Sequence, residues 1–286
     1  MYNRKSQYSS LPVRIAWLIC FFIMTCISSR AMVQVHVQYL TTVDGLANNS
    51  VRYIFQDSKG FIWLSTLNGL CRYDGNSFRT FLPHNDGRIS LADRRIQHIY
   101  EDGHGFLWIQ TSVNRFSCYD LKSDRFVDFT GCGAFADMYS EITIMPDAVW
   151  LWGKGQGCRR VEYVNEVFTS HEFDTQNGSL KSDNVNFVGQ GVDGRVWIGT
   201  GRGLFCWNGD KLTCMESEHD FLRMRTVAGL DCFISADGCI WMFDSDKLTS
   251  IASLSGLMAE AVISGELVVG SRWIILVHPT FRVIVY

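Results

Sequence analysis

Asp57-Ser-Lys-Gly60-Phe-Ile-Trp63-Leu-Ser-Thr66 is the stretch on which the reading of this 286-residue chain turns, because it comes back. Asp102-Gly-His-Gly105-Phe-Leu-Trp108-Ile-Gln-Thr111 repeats it almost position for position. Asp193-Gly194-Arg-Val-Trp197-Ile-Gly199-Thr200 and Asp237-Gly238-Cys-Ile-Trp241 share the same scheme and read as copies with a shorter turn. Asp147-Ala-Val-Trp150-Leu-Trp-Gly153 is a degraded copy. The five Trp lie 45, 42, 47 and 44 residues apart. The flanks repeat as well. Gly69-Leu-Cys-Arg-Tyr73-Asp74-Gly75 answers to Gly203-Leu-Phe-Cys-Trp207-Asn208-Gly209, with Arg115-Phe-Ser-Cys-Tyr119-Asp120 between them.

Each copy reads as four short strands, in the first copy Val51–Gln56, 61–65, 70–73 and 77–81. Asp-x-x-Gly and Asp-Gly-Asn are turn chemistry, since Asp bonds nearby backbone and Gly supplies positive φ. The segments between are rich in Val, Ile, Phe, Tyr and Trp, which suit a pleated, half-buried surface. Four strands per unit of about 40–45 residues is the period of a β-propeller blade. The expected fold is therefore all-β, a propeller of four-stranded blades with about five to six present. Ser264-Gly265-Glu-Leu-Val-Val-Gly270-Ser271 is a blurred sixth copy with Val268 in the Trp place, so the ring is expected to be incomplete. Trp63, Trp108, Trp150, Trp197 and Trp241 then read as structural wedges between blades rather than a sugar-stacking row.

Composition agrees and excludes much else. Hydrophobic residues are 47% and charged ones 19%, too apolar for a disordered chain. The 25 Gly have no period of three, and no heptad run supports a coiled coil. A formal charge of −3 without a basic cluster argues against nucleic acid as a partner. Arg4, Lys5 and Arg14 precede an apolar run, Ile15 to Ile27, which ends at Ser28-Ser29-Arg30-Ala31. That pattern predicts a secretory signal peptide over residues 1–31, with an uncleaved signal anchor as the alternative, and a propeller over 32–286. Beyond it lie eight Cys, at 71, 118, 132, 158, 206, 214, 232 and 239. They form no CxxC and no zinc spacing, so buried thiols are favoured over disulfides, and no metal or cofactor is expected.

The run Gly45-Leu46 … Asn49-Ser50-Val51 … Gln56-Asp57 … Gly60-Phe-Ile-Trp63 … Thr66 … Gly69-Leu70 … Arg72-Tyr73-Asp74-Gly75 … Phe78 resembles the two-component regulator propeller repeat. The resemblance covers about residues 38–286, strongly in copies one, two and four and weakly in three, five and six. It implies the periplasmic sensor half of a hybrid two-component histidine kinase. Such sensors carry about fourteen blades in two rings, a small sandwich domain, a membrane helix, a kinase, a receiver and a DNA-binding module, and sense glycans. The downstream parts are missing from this sequence. The seven His lie in no phosphoacceptor context, so the chain reads as a truncated or split sensor without kinase activity of its own. The implied location is periplasmic or otherwise exported, with a membrane tether if the apolar segment stays uncleaved.

Three functions compete. The first is a non-enzymatic ligand-sensing module whose ligand is an oligosaccharide or another small molecule, with remaining propeller and sensor-kinase parts as partners. In a propeller the turns between second and third strands share a rim with the connections between blades. This groups Asn68, Asn114, Arg115 and Arg202 with Asn49 and Asn184 as candidate ligand contacts, since Arg and Asn suit sugar hydroxyls and carboxylates. The second is an exported propeller glycosidase or lyase. It needs two carboxylates placed across a sugar bond. Glu141, Glu162 and Asp174 are available without a spacing that selects a pair. The third is a non-functional fragment with open strand edges.

Overall fold

The computed structural model describes residue 15, residues 37–129, 139–227 and 229–253, and the strand backbones at 266–269, 274–277 and 284–285. The chain divides after Leu40, and every blade belongs to the unit Thr41–Tyr286. The signal peptide expected over residues 1–31 and the thiol of Cys132 lie outside the described residues. No helix among the described residues is long and apolar enough to cross a membrane.

Five four-stranded antiparallel sheets succeed one another, each a meander in chain order. Blade 1 holds β1 (Val51–Gln56), β2 (Ile62–Thr66), β3 (Gly69–Tyr73) and β4 (Phe78–Phe81). Blade 2 holds β5 (Ile96–Glu101), β6 (Phe106–Thr111), β7 (Phe116–Asp120) and β8 (Arg125–Val127). Blade 3 holds β9 (Glu141–Ile144), β10 (Val149–Gly153), β11 (Gly157–Val164) and β12 (Val167–Phe173). Blade 4 holds β13 (Val185–Gln190), β14 (Val196–Thr200), β15 (Gly203–Trp207) and β16 (Leu212–Glu216). Blade 5 holds β17 (Phe221–Val227), β18 (Leu230–Ser235), β19 (Cys239–Asp244) and β20 (Lys247–Ser253). A three-stranded sheet closes the series with β21 (Glu266–Val269), β22 (Ile274–Val277) and β23 (Ile284–Val285).

One apolar layer lies between each pair of neighbouring blades. Trp63 packs with Leu91, Ile96 and Tyr119, and Trp108 with Tyr139, Val149 and Phe168. Trp150 packs with Leu180, Val185 and Trp207, and Trp197 with Phe221, Phe233 and Phe243. These four indoles are at most 1% exposed. Burying an indole of this size removes some 200 Å² from water and dominates its layer. First strands carry the layers inward in register. Ile54, Ile99, Ile142, Val188 and Met224 occupy one slot, and the last four pack on the preceding blade. No blade among the described residues packs before Ile54, which is 63% exposed. The ring is not closed, and this is its open face.

The turn between first and second strands explains why the motif recurs. Asp57 Oδ1 accepts from the backbone N–H groups of Lys59 and Phe61, at 3.0 and 2.9 Å, and its Oδ2 accepts from Trp63 Nε1 at 2.7 Å. Asp102 does the same for His104, Phe106 and Trp108. One carboxylate thus holds the turn and gives the buried indole its acceptor. The tight five-residue turn puts its glycine at positive φ, 88° at Gly60.

Strand pairing corrects two expectations. Blade 4 has the same turn length as blades 1 and 2, with Gln190 paired to Val196 as Gln56 is to Ile62. Gly191, not Asp193, therefore occupies the Asp slot, and the acceptor for Trp197 Nε1 is Asp231 of blade 5, at 3.0 Å. In blade 3 the turn really is one residue shorter, Met145 comes after the strand, and Trp150 Nε1 has no partner among the described residues. Blade 5 is out of phase by a strand. Val227 pairs with Leu230 across a two-residue turn, and Cys232 holds the Trp slot. Trp241 lies on β19, the third strand, and is half-buried against His219 and Phe221. Its Asp237-Gly238 belongs to the turn between β18 and β19.

All seven described Cys are free, and Cys71, Cys118, Cys158, Cys206 and Cys232 are buried. Burial pushes the thiols of Cys206 and Cys232 up to about 11.

The outer seam of blades 1 and 2 is polar. Asp124 accepts from Tyr119 Oη at 2.7 Å and from the guanidinium groups of Arg72 and Arg79. Arg72 also lies over the Phe61 ring, 4.5 Å from its centroid. Desolvation raises the Asp124 carboxyl, but the hydrogen bonds from Tyr119, Arg72 and Arg79 outweigh it and hold it at about 2. A carboxyl depressed in the folded state stabilises fully above its ordinary value of 3.8 and loses that contribution as pH falls through 2. Asp124→Asn should lower stability by about 1 kcal/mol at pH 6, since half-exposed pairs are screened. Denaturation midpoints should converge for the two chains at pH 2. A gap that persists unchanged at that pH would show the seam to be neutral packing.

Candidate ligand-binding site

First strands approach each other where blades converge, β1 against β5 and β13 against β17. Their side chains therefore line the inner side of the series. A bulge near the start of β1, β5, β13 and β17 keeps the registers equivalent. Pairing with the second strand then identifies one level holding Tyr53, His98, Glu141, Phe187 and Arg223. Two residues on, the next level holds Phe55, Tyr100, Thr143, Gly189 and Arg225. The intervening slot is apolar in every blade, whereas these two levels change chemistry from blade to blade. Tyr53, Phe55, Tyr100 and Phe187 of these levels also pack against the apolar layers, whereas Glu141 and Arg225 are exposed.

Over blades 1 to 3 the inner side is aromatic and hydrogen-bonding. The Tyr53 ring meets His98 edge-on at 5.1 Å, and His98 lies 6.1 Å from Tyr100. Tyr100 Oη reaches Gln110 Oε1 at 3.4 Å, and the Gln110 amide donates to Ser140 O of blade 3 at 2.7 Å. Burial, then Glu141 and Tyr53, raise the Tyr100 hydroxyl above its ordinary value. It stays a neutral donor. Over blades 4 and 5 the side becomes an open groove of about 620 Å³, lined by β13 from Asn186 to Gln190 and by β17 from Leu222 to Thr226.

The rim residues named from sequence lie where two kinds of turn meet. Asn184 O accepts from Gly201 N at 2.8 Å, which sets Asn184 beside Arg202 in blade 4. In blade 2 the backbone of Arg95 accepts from Ser112 N, so the turn carrying Asn114 and Arg115 meets the connection entering β5. Asn49 and Asn68 flank the same end of blade 1. Asn49 Oδ1 is taken up by Thr42 N at 2.8 Å, and Asn114 holds a positive φ of 58° in its turn. The fold thus brings these residues together in pairs within blades, one pair to each of blades 1, 2 and 4. Of the three carboxylates available for glycosidase chemistry, Glu162 is paired to Arg160, Asp174 caps a turn through Asn177 N, and Glu141 is exposed on the inner level.

Residues 45–68 and 90–112 match the two component regulator propeller family. They cover the turn, the Trp strand and the approach to the third strand in blade 1, and the corresponding stretch up to the Trp strand in blade 2. Among solved structures, the chain is similar to the extracellular domain of the putative hybrid two component system BT3049 from B. thetaiotaomicron, at 18% identity and a TM-score of 0.47, over 87% of this chain and 35% of that one. The extracellular domain of BT4673 from B. thetaiotaomicron matches at 20% identity and a TM-score of 0.43, over 85% and 36%. A streptogramin B lyase structure matches at 13% identity and a TM-score of 0.43, over 85% and 84%. The chain spans about a third of the length of the two-component structures. No curated protein matches it in sequence.

Proposed function

We propose that the chain is an exported, non-enzymatic sensing module of a two-component system, which binds an oligosaccharide on its inner side and rim. The observation that carries this reading is the pair of regulator propeller repeats set in blades whose inner levels change chemistry while their packing slots do not. Mixed aromatic, imidazole, amide and carboxylate groups along one concave side suit a hydroxyl-rich ligand with apolar ring faces. The open face at Ile54 supports a role within a larger assembly. It offers blade 1's slot to a further propeller part of a sensor kinase, as the matching slots of blades 2 to 5 are filled. Asn49, Asn68, Asn114, Arg115, Asn184 and Arg202 contribute the rim contacts.

Calorimetric titration of the purified chain with a broad oligosaccharide panel tests the reading. One glycan class should bind, and Arg115→Ala or Arg202→Ala should weaken it about tenfold, as loss of a charge-assisted hydrogen bond does. A panel without a binder overturns glycan sensing.

A further inference from the structure

Arg223 and Arg225 share the groove between blades 4 and 5, and among the described residues neither guanidinium has an ion pair. Arg225 is exposed and makes a long bond, 3.4 Å, to Met224 O, while Arg223 is half-buried. Two residues apart on one strand, they project to the same side roughly 7 Å from each other. Like charges so placed repel unless an anion lies between them. Arg72, Arg159, Arg160 and Arg195 elsewhere in the blades each meet a carboxylate. Two carboxylates of these blades are already engaged. Asp220 accepts from the Asn186 amide at 2.7 Å, and Asp231 is taken up by Trp197, Val192 and Thr226.

The first strand of blade 4 lacks a side chain at one inner position. Gly189 stands where the other first strands carry Phe55, Tyr100 and Thr143, and a Cβ there would come within 3.1 Å of Met224 Sδ. Phe187 and Met224 also line the groove, Met224 on the face of β17 that packs on blade 4. We infer that this groove binds the anionic group of an acidic sugar, with Arg223 and Arg225 clamping the charge. The inference rests on the sensing reading and names the ligand class for one part of the inner side. Carboxylate and sulfate ester present the same chemistry to a guanidinium pair.

The chain is titrated by calorimetry with trigalacturonate, a sulfated neutral galactan oligosaccharide and galactotriose. One charged probe should bind at least tenfold more tightly than galactotriose and weaken with added salt. The carboxylate and sulfate arms show which group is taken. Arg223→Gln and Arg225→Gln should each lower that affinity tenfold or more while leaving the thermal transition in place. Equal binding of charged and neutral probes, insensitive to both substitutions, overturns the anionic groove and leaves the sensing reading standing. Silence of all three probes also overturns it, and the broad panel then decides sensing separately.

Discussion

Trp63→Ala should cost about 3–5 kcal/mol of folding stability, while Trp241→Ala should cost about 1–2. The two residues look alike in sequence, each shortly after an Asp and a Gly. Their surroundings differ. Trp63 is fully buried between blades 1 and 2, stacked on Phe81 at 5.4 Å and edge-on to Tyr119, with its Nε1 held by Asp57. Its removal leaves a cavity in a shared layer and takes away the donor to Asp57 Oδ2. Trp241 is half-buried on a third strand, so water already meets part of what a truncation would expose. In a stack of repeats each interface couples neighbours, so loss at Trp63 should also loosen blade 2. Denaturant midpoints and slopes of the two variants check this. Equal losses would mean that blade 5 keeps the frame of blades 1 to 4.

The blades themselves were legible because strand alternation and turn residues repeat together. The first-copy strands fall within a residue of the observed β1 to β4. The frame of blade 5 was not legible, for a physical reason. Both kinds of turn need a residue with positive φ, so Gly194 at 86° and Gly238 at 82° leave the same trace in sequence. Only pairing shows that one precedes a second strand and the other a third. The supply of Asp231 to Trp197 was hidden likewise, since the partners are 34 residues apart and the vacated slot is only a glycine. The rim candidates came from turn order alone. The inner levels from Tyr53 to Arg223 were missed because equivalence there depends on a bulge, although the residue two pairs beyond each Trp would have pointed to them. The acidic-sugar groove needed more still, because unpaired guanidiniums are defined by what their neighbours already hold.

Gly191 and Asp231 should behave as one unit rather than as two sites. Asp231→Ala removes the acceptor of a buried indole, and also that of Val192 N and Thr226 Oγ1, for a loss of about 2–4 kcal/mol. Gly191→Asp alone should be as damaging. Its Cβ would sit 2.2 Å from Asp231 Oδ2 and 2.8 Å from Trp197 Nε1, and it would set two carboxylates in one buried space. Together the substitutions should rescue each other. Asp at 191 regains the turn and indole bonds that Asp57 and Asp102 make, and alanine at 231 removes the closer of the two clashes, leaving the Trp197 indole to shift slightly. Gly191 is not at positive φ, so an L side chain fits its backbone. The double variant should be more stable than either single one, with a favourable coupling of about 2 kcal/mol in a double-mutant cycle. Additive losses would show that the carboxylate from blade 5 does not stand in for the one blade 4 lacks.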